Sequence, residues 1–431
     1  MLASLSNIFK IGDLRRKVVF TLLMLVVFRI GTWVPVPNVD VSRLQQDTSN
    51  LLGLLNTFSG GALQNFSIFA MGIMPYITAS IIMQLLSMDV VPKFTQWAKE
   101  GEVGRRKIAQ VTRYFTIILG FIQSIGMTIG FNRMAPGLVL DTSVASYALI
   151  ALTLTAGTAF LMWLGEQITE KGIGNGISII IMAGIVASIP TGITTILQTQ
   201  LGNVQDQLFF SIMKLVGIFL VVVALIVGVI FMQQGIRKIP VQYAKRVVGR
   251  KMYGGQSTHI PLKINSAGVI PVIFAVSLVV FPSTIASFWA DRSGVGIANW
   301  IYTNFQVNMP LGMTLYAFLI IGFTYFYTFV QINPVQMAEN MRKNGGYIPG
   351  IRPGKNTEVY ITRTLNRLTL AGAVFLMAIS IMPFFFSSLA QLPPSIYIGG
   401  TSLLILIGVV LDTMKQIESQ MIKRHYKGFI K

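Results

Sequence analysis

Charged positions along this chain gather into clusters, and between the clusters run long apolar stretches that hold little charge. Ten such stretches lie near residues 18–33, 68–88, 115–131, 147–168, 177–189, 212–231, 267–288, 313–332, 368–389 and 396–411. A helix needs roughly 20 apolar residues to cross a hydrocarbon core of about 30 Å, so these runs predict ten transmembrane helices. The fifth is short, with Gly172, Gly174 and Gly176 before it and Pro190 after it. A re-entrant segment fits it too, but it is counted here as spanning. Composition agrees: 53% of the 431 residues are hydrophobic and 11% charged, against about 25% charged in soluble domains. The fold class expected is an all-α integral membrane protein.

A net charge of +19 invites a nucleic-acid reading, but in a membrane protein the position of the basic residues is the first question. Of 34 Lys and Arg residues, 29 fall in the N-terminal segment, in the loops after spans two, four, six and eight, and in the tail. Arg43, Arg133, Lys214 and Arg292 fall in or beside loops of the other side, and Arg29 lies inside span one. Positive residues are retained in the cytoplasm, so both termini are expected there. Lys10, Arg15, Arg16 and Lys17 precede the first run, which continues to Pro35 and Pro37 with no small-residue cleavage site, and it reads as a retained first helix. Five spans on each side of the middle point equivalent spans in opposite directions, which is the topology of an inverted repeat. The expected halves are 1–190 and 191–431, with a pathway between them.

Catalytic chemistry is sparse. The absence of cysteine excludes disulfides, thiolate metal sites and a cysteine nucleophile. His259 and His425 both fall in cytoplasmic segments, so no zinc motif or serine–histidine pair is built in the bilayer. Glu166 and Glu170 end span four as a solvated helix terminus. No catalytic residue, metal or cofactor is expected. Arg29 has two readings: snorkelling to headgroups, or a structural pairing.

Other features are more telling. Residues 51–65, LLGLLNTFSGGALQN, are apolar but too short to span. They read either as a loop on the outer interface or as a half-helix folded into a cavity. Span two carries Pro75, Thr78, Ser80 and Gln84, polar or helix-breaking residues that favour a protein neighbour over lipid. Ile73 and Ile77, and again Ile177 and Ile181, are four apart and share a helix face; on the residues alone, ordinary packing is the plain reading. The loops 233–265 and 333–366 are long, basic and rich in Gly and Pro, and loops of that length are usually functional. Within the second, YIPGIRPGK sets Arg352 and Lys355 on a rigid basic tip suited to an acidic protein surface or to ribosomal RNA. The plain alternative is that these charges only fix topology.

Several long motifs, in order, resemble the SecY family, the central subunit of the bacterial Sec translocon, along essentially the whole chain. They are FRIGTWVPVP (28–37), FSGGAL (58–63), MGIMPYITASII (71–82), EGEVGRRKIAQ (100–110), MWLGEQITEKGIGNGISIII (162–181), QSTHIPLKIN (256–265), YIPGIRPG (347–354) and GGTSLLI (399–405). The resemblance implies a pore between two inverted five-helix halves, closed by a ring of Ile73, Ile77, Ile177, Ile181, Ile273 and Ile405. It implies a plug within 51–65, including Leu55, Asn56, Phe58, Ser59, Gly60 and Gly61. A lateral gate between spans two and three and spans seven and eight would include Pro75, Thr78, Ser80 and Gln84. Arg352 and Lys355, supported by Lys245, Arg246, Arg250 and Lys251, would dock the SecA motor ATPase and translating ribosomes. Also implied are SecE-like and SecG-like small subunits, preprotein substrates with signal peptides, contact with membrane lipids, a plasma-membrane location, and no cofactor, since the motor spends the ATP. The rival from another class is a secondary transporter, which needs a buried ion or substrate site. A membrane-embedded enzyme lacks paired catalytic groups, and a scaffold without a pore leaves 51–65 unexplained.

Overall fold

The computed structural model describes residues 11–42, 56, 59–88, 90–201, 208–243, 246–248, 251–253, 257–286, 296–307, 309–389 and 400–427. A helix lies at each of the ten predicted spans. Before the first strand the chain forms α1 (Gly12–Gly31), α2 (Met74–Leu86), the short α3 (Pro92–Lys99), α4 (Glu102–Met134), α5 (Val144–Lys171), α6 (Gly176–Leu201) and α7 (Leu208–Gln234). Four strands follow: β1 (Ile236–Tyr243), β2 (Arg246–Val248), β3 (Lys251–Tyr253) and β4 (Ser257–Lys263). Then come α8 (Ile270–Ala286), α9 (Ile297–Asn304), α10 (Pro310–Gln331), α11 (Pro334–Lys343), β5 (Gly346–Tyr347), α12 (Lys355–Leu389) and α13 (Gly400–Lys427). Among the described residues six helices are long and apolar enough to cross a membrane, and Met74–Leu86 and Ile270–Val280 are shorter apolar ones. The 20 residues of α1 reach about 30 Å at 1.5 Å per residue.

Two proline positions correct the sequence expectations. Pro75 does not interrupt a helix, because residues 68–73 are turns and Pro75 stands in the first turn of α2. There its missing N–H removes no intrahelical bond. Pro190 does not end the fifth span, since α6 runs on to Leu201 with the proline inside it. Around it Ser188, Thr191, Thr194 and Thr195 donate their hydroxyls to carbonyls three or four residues back, at 2.8–2.9 Å. Such side chains help a spanning helix to carry a proline, and the re-entrant alternative falls away.

Loops 233–265 and 333–366 are not two separate irregular segments. β1 pairs antiparallel with β4, from Ile236 opposite Lys263 to Gln242 opposite Ser257. β5 adds to the other edge of β1, with Gln242 opposite Tyr347, and the Tyr347 hydroxyl donates to Gln242 Oε1 at 3.0 Å. β2 and β3 form a separate two-stranded ribbon. Ile239 and Val241 point inward from β1 and meet Leu262, Met341, Ile348 and Ile361 in a cluster of their own. So an otherwise helical membrane protein carries a small β-structured platform built from both loops.

The helices meet along seams that join the beginning of the chain to its end. α8 packs on α2 and on α4, while α6 packs on α7 and α13. Within the first part α5 packs on α4, α6 and α1. Close approach here depends on small residues: a Cβ on Gly157 of α5 would run into the Ile68 carbonyl just before α2.

Candidate functional site

Four helices bring one residue type together. Ile73 caps the N-terminus of α2 and Ile77 follows one turn later; Ile177 and Ile181 lie on α6, Ile273 on α8 and Ile405 on α13. All six belong to one apolar cluster, in which Ile73, Ile77, Ile181 and Ile405 are buried and Ile177 and Ile273 are partly buried against them. The cluster therefore joins side chains from residues 73–185 to side chains from residues 269–409. It is mainly aliphatic, with Phe28, Phe69, Phe274 and Tyr316 among its buried members. Among the described residues no Asp, Glu, Lys, Arg or His is buried, the buried polar side chains being Ser, Thr and Asn265. Nor does any group of three or more His, Asp or Glu stand together as a metal site among them.

Just beyond the isoleucines lies a cavity of about 430 Å³ whose walls include Asn175, Ser178, Gln233, Asn265, Gly408 and Gln416. Ser178, Ile270 and Gly408 line it, each three residues from Ile181, Ile273 and Ile405 respectively. Three helices thus present an isoleucine and, one turn along, a cavity wall. Lys263 of β4 also lines the space, which puts it on the side of the β-structured platform. Sequence reading did not single out Gln233 or Asn265; their only signal was an amide side chain at the end of an apolar run.

The same cluster takes in Ala62 of the segment expected as a plug. Leu55 and Phe58 lie outside the described residues, whereas Asn56, Ser59, Gly60 and Gly61 are placed. Ser59 is buried, and its hydroxyl donates to the Asn56 carbonyl at 3.1 Å and accepts from the Leu63 N–H at 3.2 Å. Ala62 and Leu63 are buried as well, so this stretch packs inward and is not a surface loop. Residues 60–66 form turns rather than a helix, with φ of +68° at Gly60 and +88° at Gly61. A side chain at Gly60 would also stand 2.9 Å from the Gly184 Cα of α6. Left-handed backbone and close contact together demand glycine.

Arg29 resolves between its two readings. Its Nη1 donates to the Gly60 carbonyl at 2.8 Å, and its guanidinium lies 5.6 Å from the Trp33 ring centroid. The side chain ties α1 to the turn at Gly60. A charged donor in a partly buried site makes Arg29→Gln cost about 1–2 kcal/mol, measured as a lower Tm in detergent, and it should raise ion leakage of vesicles holding the chain. Glu166 also has a partner: Arg113 Nε donates to it at 2.7 Å across α4 and α5, so this helix end is ion-paired rather than merely solvated. The pair is partly exposed, and its contribution is about 1 kcal/mol or less.

The four residues expected at a gate divide. Ser80 and Gln84 continue the stripe of Ile73 and Ile77 along α2, at spacings of four, three and four. Gln84 Oε1 is buried without a partner. Thr78 returns its hydroxyl to the Met74 carbonyl at 3.1 Å. Pro75 faces inward, where a Cβ on Gly120 of α4 would lie 3.7 Å from it and 3.8 Å from Thr155 of α5. It packs toward α4.

On the platform Arg352 and Lys355 are exposed. Ile348 is buried at the base of their loop. Gly350 and Gly354 turn at φ of +81° and +107°, and the Thr357 hydroxyl donates to the Arg352 carbonyl at 3.1 Å. The loop is anchored at both ends with its cations outward. Arg246 and Lys251 belong to the β2–β3 ribbon; Lys245 and Arg250 lie outside the described residues.

A model of the family described as SecY matches residues 67–414, most of the chain. The chain belongs to the SecY family. Among its SecY relatives, the Protein translocase subunit SecY of Halalkalibacterium halodurans is 64% identical and that of Bacillus subtilis 60% identical, each alignment covering 100% of both chains. Solved structures share the fold at low identity. One, described as the structure of a protein conducting channel, is 19% identical with a TM-score of 0.62 and covers 97% of this chain and 95% of its own. Another, Sec61 in the canine ribosome-channel complex from the endoplasmic reticulum, is 18% identical with a TM-score of 0.61 and the same coverage.

Proposed function

We propose that this chain is the central pore-forming subunit of a protein-conducting channel, moving unfolded preproteins across the plasma membrane and releasing hydrophobic segments sideways into the bilayer. The observation that carries this reading is the convergence of six isoleucines from α2, α6, α8 and α13 beside a polar-lined cavity. An aliphatic constriction excludes water and ions by dewetting yet deforms around a passing chain, and it has no fixed polar partner to favour one sequence over another. Residues 1–190 and 191–431 act as two halves around this waist, and the segment anchored by Arg29 and Gly60 serves as its plug.

The seam of α2 and α4 against α8 is the lateral gate in this reading. Ser80 and Gln84 are its polar members on α2, and polar contacts between spanning helices are worth about 1 kcal/mol or less each, suited to a joint that must part. Both termini and the platform face the cytoplasm, which the distribution of basic residues supports. Arg352 and Lys355 then dock a SecA-like motor ATPase or a translating ribosome. Companion subunits resembling SecE and SecG complete the channel, which itself catalyses nothing.

The test is import of a signal-bearing precursor into vesicles holding this chain, its SecE-like partner, SecA and ATP. Protease-protected precursor is the expected result. Its absence where a known translocon succeeds under the same conditions would return the transporter reading to first place.

A further inference from the structure

The short helix α9 exposes an arc whose chemistry changes across it. At 3.6 residues per turn, positions three apart differ by about 60° around a helix, so Ile297, Trp300 and Thr303 share an arc of about 120°. Ile297 is 80% exposed, Trp300 53%, and Thr303 is exposed as well. Across the arc the side chains pass from aliphatic, through a ring with one polar edge, to a hydroxyl that donates to the Asn299 carbonyl at 2.9 Å. The Phe305 ring meets the Trp300 ring at a steep angle, with centroids 6.3 Å apart. No Asp, Glu, Lys or Arg occurs from residue 293 to residue 338, so the arc has no charge to offer a charged protein surface.

The position of α9 is set by α10. The 22 residues of α10 reach about 33 Å at 1.5 Å each, just enough to cross a core of about 30 Å, which puts Pro310 at the boundary. Met309 and Leu311, on either side of it, are exposed apolar residues. Between α9 and Pro310 the chain turns tightly: the Phe305 N–H donates to the Ile301 carbonyl at 3.0 Å and the Met309 N–H to the Gln306 carbonyl at 2.9 Å. A Cβ on Gly312 would run into the Gln306 carbonyl, and Val307 is buried in the central cluster. The turn therefore lies against the first turn of α10, and α9 is held beside the boundary.

We propose that α9 is an interfacial anchor, lying in the outer surface of the bilayer with Ile297 toward the acyl chains, Trp300 among the headgroups and Thr303 toward water. Tryptophan concentrates at this depth because its ring is apolar and its N–H polar, and amphipathic helices insert there by about 5–10 Å. The anchor acts on the seam: α9 packs on α8, which packs in turn on α2 and α4, so α9 ties the α8 wall to the lipid surface. Insertion does not depend on the channel reading; only the choice of the outer surface rests on the orientation proposed above.

The absence of native cysteine makes the test clean. Ile297→Cys and Thr303→Cys, in separate variants of the assembled protein in vesicles, are labelled with an environment-sensitive fluorophore. Quenching is read with iodide on both sides of the bilayer and with phospholipids carrying a nitroxide high on the acyl chain. We expect lipid quenching at Ile297→Cys at least about threefold stronger than at Thr303→Cys, with the order reversed for iodide. Adding Trp300→Asn should lower lipid quenching at Ile297→Cys about threefold or more, and Trp300→Tyr, which also carries an amphipathic ring, should restore most of it. Ile297 and Trp300 are exposed, so Tm is expected to hold in each variant. A label at Phe219→Cys on α7 confirms that the lipid quencher reaches an exposed span. Strong iodide quenching at both α9 positions would overturn the proposal and place the helix in water. Quenching by neither agent would overturn it in favour of a protein cover. Unchanged lipid quenching in Trp300→Asn would overturn it too, since Trp300 would then anchor nothing.

Discussion

Vesicles containing the Ile181→Ser, Ile405→Ser double variant are expected to conduct ions with no substrate present, while the parent stays tight. Both side chains are buried in the cluster that joins the beginning of the chain to its end. Burying an isoleucine is worth about 1.5–3 kcal/mol relative to leaving it wet, and that quantity sets the cost of letting water into the waist. Serine offers a hydroxyl to water instead. Since about 1.4 kcal/mol is a factor of ten, conductance should rise about tenfold or more with each exchange. Large-to-small changes in a packed core also destabilise, by about 2–5 kcal/mol for isoleucine to alanine, so Tm is followed alongside conductance. A lipid-exposed site supplies the control. Phe219 on α7 is 66% exposed, and Phe219→Ser is expected to leave conductance at the parent level.

Arg352→Glu is expected to abolish motor-driven import without unfolding the chain. Arg352 is exposed, so no packing is lost when its sign changes. The loop is held by Ile348 in the platform core and by the Thr357 hydroxyl on the Arg352 carbonyl, neither of which involves the guanidinium. An acidic partner surface is then met by a like charge in place of an opposite one, which costs several kcal/mol. A loss of import of at least about tenfold should follow, with Tm unchanged. Arg352→Lys keeps the charge but not the forked donor geometry, and partial import is expected from it. Full import by Arg352→Glu would return the loop's charges to a topology-fixing role.

How much of this was visible in the sequence differs by feature. The spans could be read because hydrocarbon leaves the backbone few choices, and a helix that satisfies its own N–H and C=O groups shows as an unbroken apolar run. Isoleucines four apart announced a shared face on α2 and on α6, but nothing in their spacing says that those faces meet Ile273 and Ile405. That convergence depends on seams between helices distant in sequence. The β-platform was missed for a local reason: Pro240 and Pro261 interrupt β1 and β4 with residues that cannot donate to a ladder, and proline argues against a strand. The alternation of Ile239 and Val241 with polar neighbours was the signal that remained.

The prolines of α2 and α6 erred in opposite directions. Pro75 looked like an interruption and begins a helix; Pro190 looked like an end and lies inside one. In each case the neighbours decide, turns at 68–73 for the first and hydroxyl-bearing residues for the second. Arg29 could be narrowed to two roles from its depth in the span, yet its partner, the Gly60 carbonyl, is a backbone atom that no side-chain pattern reveals. Gln233 and Asn265 gave even less warning, because an amide side chain near the end of a span is ordinary.

The central claim is that a polypeptide passes through the isoleucine waist, and cross-linking of a stalled precursor to single cysteines at Ile77, Ile181 and Ile405 tests it most directly. We predict disulfides from all three positions to a short common window of the precursor, and none to a cysteine at lipid-exposed Phe219. Cross-links confined to the lipid-exposed position, or to none of the ring positions while the precursor is demonstrably stalled, would contradict the account.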